Sequence, residues 1–166
     1  MHRCVVAVQH RRELSMRIRS VNISGLTQVM HRNELISTGI FKKPAAGYVT
    51  VSQLQIVGDA QADLIHHGGE DKAVYGYPWE HYAYWAAELN RDDFQLGQFG
   101  ENLTTEGILE TSLCIGDRLQ VGKVLLEVSQ PRQPCFKLDL KMKQPGFIKA
   151  FLKSGRVGFY FRVLEP

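Results

Sequence analysis

The sequence holds only three cysteines, Cys4, Cys114 and Cys135, and no two of them stand in a Cys-x-x-Cys arrangement. An odd, widely spaced set gives neither a disulfide framework nor a zinc-ligand pattern, and a reducing cytoplasm is the expected compartment. Long apolar runs are missing too, so no membrane-spanning helix is expected. The N-terminus, with Arg3, His10, Arg11, Arg12 and Glu13 around a short apolar patch, does not read as a secretory signal. A large excess of one charge is also missing, with 20 Lys and Arg against 17 Asp and Glu and a net charge of +3. That small surplus suits an anionic small ligand. Because the basic residues are dispersed rather than striped along one element, no stable nucleic-acid complex is expected. Internal repeats, low-complexity tracts and the spacing of a standard phosphate loop are absent as well.

What is present is an ordinary globular composition, 44% hydrophobic and 22% charged over 166 residues, enough for one domain with a real core. Residues 1–15 differ in character from the rest of the chain. They read either as a basic extension or as the product of a mis-assigned start, with Met16 the natural first residue and 16–166 the domain. Arg17 to Ser24 alternates as a strand should. Residues 25–43 are mixed and polar; 47–51 and 54–57 read as short strands, stopped by Gly58-Asp59. Pro78 to Leu89 places Trp79, Tyr82, Trp85, Ala86 and Leu89 at helical spacing, with Pro78 suited to the first turn. Strands are expected at 113–115, 118–121 and 124–128, with a hairpin about Gly122-Lys123. A short helix over 147–152, ending near Gly155, and a last strand over 157–164 complete the reading. Many short strands with two or three helices predict a mainly β fold, a sheet or barrel with a few short peripheral helices.

Three segments carry chemistry. Cys135 lies between Pro134 and Phe136 just after a predicted strand. Pro131 and Pro134 stiffen the backbone there, and Arg132 and Lys137 favour the thiolate, the form that attacks electrophiles and binds soft metals. On composition alone a small core cysteine is the alternative, although a Pro-framed turn is a poor place to bury one. His66-His67-Gly68-Gly69, followed by Lys72, combines close backbone approach with donors for a phosphate or a pterin edge. Glu101 and Asn102 read as a turn and strand start, or as a carboxylate and amide that hold a reacting oxygen and manage its proton. The aromatic cluster from Tyr75 to Trp85 has helical spacing that favours core packing over base stacking, and Cys114, within a predicted apolar strand, reads as structural.

Together these segments resemble the MOSC superfamily, named for the C-terminal domain of molybdenum cofactor sulfurases, and most nearly its bacterial 6-N-hydroxylaminopurine resistance branch. The resemblance rests on His-Gly-Gly-x-Asp-Lys-Ala-Val at 67–74, Tyr-Pro-x-Glu-His-Tyr-x-Tyr-Trp at 77–85, Gly100-Glu101-Asn102-Leu103, Gly116-Asp117, and Gln130 to Leu138, in the family's order. It implies a MOSC-type β-barrel and a molybdenum cofactor (molybdopterin) whose metal is held by Cys135. His67, Gly68, Gly69, Lys72, Arg132 and Lys137 would lie at the cofactor, with Glu101 and Asn102 near the metal. It also implies reduction of small N-hydroxylated substrates such as base analogues, with electrons from a flavoprotein reductase. Sulfur transfer through a persulfide on Cys135 and non-catalytic cofactor carriage are the rival readings. Pyridoxal phosphate on Lys72 ranks low, because no acidic partner for a pyridinium is evident. The family continues past the point that matches Pro166 with a further strand and a helical region, so closure of the barrel is an open expectation.

Overall fold

The computed structural model of the chain describes residues 16–63 and 68–166. Its frame is a seven-stranded sheet in the order β4-β1-β6-β5-β9-β8-β7. The strands are β1 (Arg17–Ile23), β4 (Lys43–Pro44), β5 (Val74–Pro78), β6 (Leu103–Glu106), β7 (Arg118–Val121), β8 (Val124–Pro131) and β9 (Phe159–Glu165). All neighbours are antiparallel except β5 and β6. Register shifts in β1 against β6 and in β8 against β9 bend the sheet, which curls into a half-barrel with β4 and β7 as its outer strands. A separate hairpin, β2 (Thr27–His31) with β3 (Glu34–Thr38), turns at Arg32-Asn33, both at positive φ, and fills the stretch that carries no legible sequence pattern.

Two clusters of buried side chains share the sheet. Inside the curl lie Ile56, Val74, Leu103, Leu126 and Phe161. On the other face Tyr77, Trp85, Phe99, Phe147 and Phe151 pack the helices α1 (Glu80–Leu89), α2 (Lys137–Met142) and α3 (Phe147–Ser154) onto the sheet. Tyr75, Tyr77, Tyr82 and Trp85 are all buried, so the aromatic cluster is core, as its spacing indicates. Strand β5 is buried at every position because it stands in mid-sheet between the two clusters. Among the described residues no helix is long and apolar enough to cross a membrane.

Several elements differ from the sequence reading. Pro78 closes β5, opposite Thr105 of β6, and α1 begins two residues later, because a proline at the end of a strand takes no ladder bond away from the interior. Residues 47–51 and 54–57 form no strands; one bridge, Val51 to Ile56, and a tight turn at 52–55 take their hydrogen bonds. Leu113 to Ile115 is a loop, with Cys114 exposed rather than enclosed, since Asp117 Oδ2 accepts the Cys114 N–H and turns the chain before β7. The hairpin about Gly122-Lys123, the helix ending at Gly155 and the final strand stand as read.

Candidate functional site

At the end of β8 the chain leaves the sheet through residues 132–135 and enters α2, whose first turn ties back through the Leu138 N–H to the Cys135 carbonyl at 2.9 Å. This short, Pro-framed connection puts the half-buried Cys135 thiol into a cleft of about 590 Å³, its open mouth included. The wall opposite is built from the segment after β3, from the loop at Asp59 and from the start of β5. Two glycines let these segments approach. A Cβ at Gly39 would stand 2.0 Å from the Ala60 carbonyl oxygen, and one at Gly97, where φ is +82°, would stand 2.8 Å from that of Lys42.

Of the residues singled out in the sequence, Cys135, Lys72, Arg132, Lys137 and Asn102 all line this cleft. Arg132 is buried in its wall. One guanidinium nitrogen donates to the Phe99 carbonyl at 2.5 Å, and its central carbon lies 4.3 Å over the Tyr75 ring. Its Nε is enclosed and finds no acceptor among the described residues. Asn102 is held on every side. Its Oδ1 accepts the Tyr75 N–H at 3.1 Å, and its Nδ2 donates to the Asn22 carbonyl at 3.3 Å and to Asp59 at 2.8 Å. Gly68 and Gly69 border a neighbouring shallow groove that shares Lys72 with the cleft. His67 lies outside the described residues.

Glu101 stands behind the cleft wall and does not line it. Its carboxylate, fully enclosed, accepts from the Gly97 and Phe99 N–H groups at 3.0 Å each, from the Thr104 hydroxyl at 2.7 Å and from the Tyr82 hydroxyl. Burial pushes its carboxyl up from the ordinary glutamate value, and these donors oppose the rise. In this setting it braces the turn that carries Phe99 and Asn102.

The residues that sequence reasoning passed over are Lys42 and Asp59. The Lys42 ammonium donates to both oxygens of Asp59, with side-chain exposures of 8% and 1%, and Asp59 also takes the Ser24 N–H at 2.9 Å. Burial lowers the Lys42 pKa; Asp59 opposes that shift and Arg132 adds to it. No local signal marks the pair, because its partners lie 17 residues apart and Gly58-Asp59 is indistinguishable from a turn. Tyr75 and Tyr160 complete the wall; burial raises both hydroxyls above the usual phenol value. The cleft thus joins a thiol, four cations and the carboxylates of Asp59 and Asp63. Among the described residues no group of three His, Cys, Asp or Glu side chains gathers as a metal site.

Comparison with known proteins fits this arrangement. Residues 63–166 match the MOSC domain. The chain is 43% identical to protein YflK of Bacillus subtilis over 146 residues, covering 88% of this chain and 66% of that one. It is 41% identical over 133 residues to a protein of Gibberella moniliformis named as a reductase, covering 78% of this chain and 24% of that one. The crystal structure of YiiM from Geobacillus stearothermophilus superposes with a TM-score of 0.71 at 39% identity, over 90% of this chain and 68% of that one. The chain therefore spans slightly less than two thirds of YflK and about a quarter of the reductase. With the cysteine segment, the curled sheet and the domain match in agreement, this chain belongs to the MOSC domain family.

Proposed function

We propose that this chain binds the molybdenum cofactor and reduces small N-hydroxylated compounds, N-hydroxylated base analogues among them, with electrons from a flavoprotein reductase. The observation that carries the reading is the Cys135 thiol opening on a cleft with four cations, one of them the buried Arg132 whose Nε lacks an acceptor among the described residues. An enclosed donor without a partner costs free energy unless a ligand supplies one. An anionic cofactor with a soft metal fits both features, since a thiolate suits molybdenum and the cations suit a phosphate.

In this reading Cys135 would ligate the metal, and Lys72, Arg132 and Lys137 would hold the anionic end, with Gly68 and Gly69 bordering the groove beside Lys72; His67, proposed from its place in the sequence, would add a further donor. When bound, the cofactor supplies the two-electron redox chemistry that no side chain here provides. The chain's own residues set the place. Pro131 and Pro134 limit the swing of the cysteine segment, Arg132 is pinned between Phe99 and Tyr75, and the rings of Tyr75 and Tyr160 exclude water from one wall. Asn102 acts through Asp59 and Glu101 through its turn. The relative named as a reductase supports the reaction class.

The test is to purify the protein from a host that makes molybdopterin, measure molybdenum per chain, and assay N-hydroxylaminopurine reduction with a reduced dye. Stoichiometric metal that is lost in Cys135→Ser together with activity is the expected result. Metal-free protein from that host overturns the reading, and a reducible mass gain of one sulfur on Cys135 assigns sulfur carriage instead.

A further inference from the structure

We propose that Lys42, gripped by Asp59, is the proton donor of the cleft, delivering its proton to the hydroxyl oxygen of the N-hydroxylated substrate as the N–O bond breaks. The inference rests on the reductase reading above. Its ground is geometric. Cleavage of an N–O bond needs an acid at the oxygen that leaves, because hydroxide is a poor leaving group and water a good one. The sequence suggests Glu101 and Asn102 for such work, yet the Glu101 carboxylate does not line the cleft, and each polar atom of the Asn102 side chain is taken by Asp59, Asn22 or Tyr75. Lys42 does line the cleft. Two of its three ammonium N–H bonds go to the Asp59 oxygens, and no other acceptor among the described residues takes the third.

The pair is also an unusual thing to place in a wall. A buried ion pair is weak evidence for stability, since desolvation offsets most of the attraction. Asp59 is nevertheless triply held, by Lys42, Asn102 and the Ser24 N–H, so the ammonium is fixed in direction as well as in charge. The charged groups that act on Lys42 include Asp59 from its loop, Arg132 from the cysteine segment, Glu101 from the turn before β6 and Lys141 from α2, and Asp63, Lys72, Cys135 and Lys137 line the same cleft. Burial, first, and the Arg132 charge make its proton easier to give up, while Asp59 opposes that shift.

The balance is simple. The substrate takes two electrons from the flavoprotein donor and two protons, one from Lys42 to the hydroxyl oxygen and one from solvent to nitrogen. The N–O bond breaks, the hydroxylamine becomes the amine, and water leaves. Solvent then returns a proton to the Lys42 amine.

The test uses cofactor-loaded protein with a reduced viologen as electron donor. Lys42→Met and Lys42→Arg are expected to keep wild-type molybdenum content and KM within a few-fold and to lose about 10²-fold or more in kcat, since a guanidinium does not release its proton near neutral pH. Lys42→Ala is expected to regain turnover with added methylammonium, which a merely structural lysine would not show. Near-wild-type kcat in Lys42→Arg overturns the proposal, as does a metal content that falls in step with activity, which would make Lys42 a cofactor ligand. A second measurement does not depend on turnover. In cofactor-free protein, trace acetylation read by mass spectrometry should titrate Lys42 below the ordinary lysine value of 10.5. A Lys42 midpoint at or above 10.5 also overturns it. If wild-type protein binds molybdenum, shows the Lys42 shift and yet reduces no N-hydroxyl compound, the reductase reading fails and the proton donor falls with it.

Discussion

Replacing Asp59 by Asn removes the anion from a pair whose side chains are 8% and 1% exposed. Breaking a buried pair from one side costs about 3–5 kcal/mol, because the other charge stays behind uncompensated. Lys42 borders an open cleft, so water can reach part of its ammonium, which places the cost near the lower end, about 3 kcal/mol. Asn also offers one acceptor oxygen where Lys42, Asn102 and the Ser24 N–H now share two. Against a total stability on the order of 5–15 kcal/mol the variant stays folded and is measurably weaker. Lys42→Met in the same chain removes the stranded charge, so the double variant should recover about 2 kcal/mol as a coupling energy in a urea-unfolding cycle. The pH dependence has a definite sign. Burial already holds the Lys42 pKa below 10.5, and without Asp59 it falls further. Between that depressed value and 10.5 the unfolded chain binds more protons, so stability rises with pH and the deficit of Asp59→Asn shrinks as pH climbs toward 10.5. A deficit under about 1 kcal/mol at pH 7, or a double variant no more stable than Asp59→Asn alone, refutes the reasoning.

Glu101→Gln presents an amide N–H₂ to groups that all donate, so thermal unfolding should show a loss of about 2–3 kcal/mol, while turnover per molybdenum-loaded chain stays within a few-fold of wild type. Full stability with lost turnover would return the proton role to Glu101. Phe99→Ala hollows the centre of the aromatic cluster, where Phe99 stacks on Tyr77 at 4.3 Å, and should cost about 3–5 kcal/mol in urea unfolding. Burial pushes the Glu110 carboxyl up, but the hydrogen bond from His81 and the Gly158 N–H leave it below the ordinary value of 4.5. A carboxylate depressed on folding stabilises above its unfolded pKa, so the advantage of wild type over Glu110→Gln, measured by unfolding against pH, should fade as pH drops below 4.5.

The sequence was most legible where chemistry is local. Cys135, Arg132 and Lys137 sit within one Pro-framed stretch, and they arrive together in the cleft because six residues with two prolines at or beside them have little freedom to separate. The helix of Trp85 and the hairpin at Gly122-Lys123 were legible for the same reason, since periodicity and turn chemistry are properties of neighbours. Helix α2 has six residues, too few to show a period, and β5 hides its strand character by being buried on both faces.

What the sequence by itself determined is the family, the mainly β architecture and the thiol with its flanking cations. What only the tertiary structure decided is which polar groups face that thiol. Lys42 and Asp59 meet there because Gly39 lets one segment press against the other, and Glu101 turns away because four donors hold its carboxylate behind the wall. Hydrogen bonds and ion pairs between distant segments depend on how the sheet curls, and no local pattern encodes the distance across a cleft.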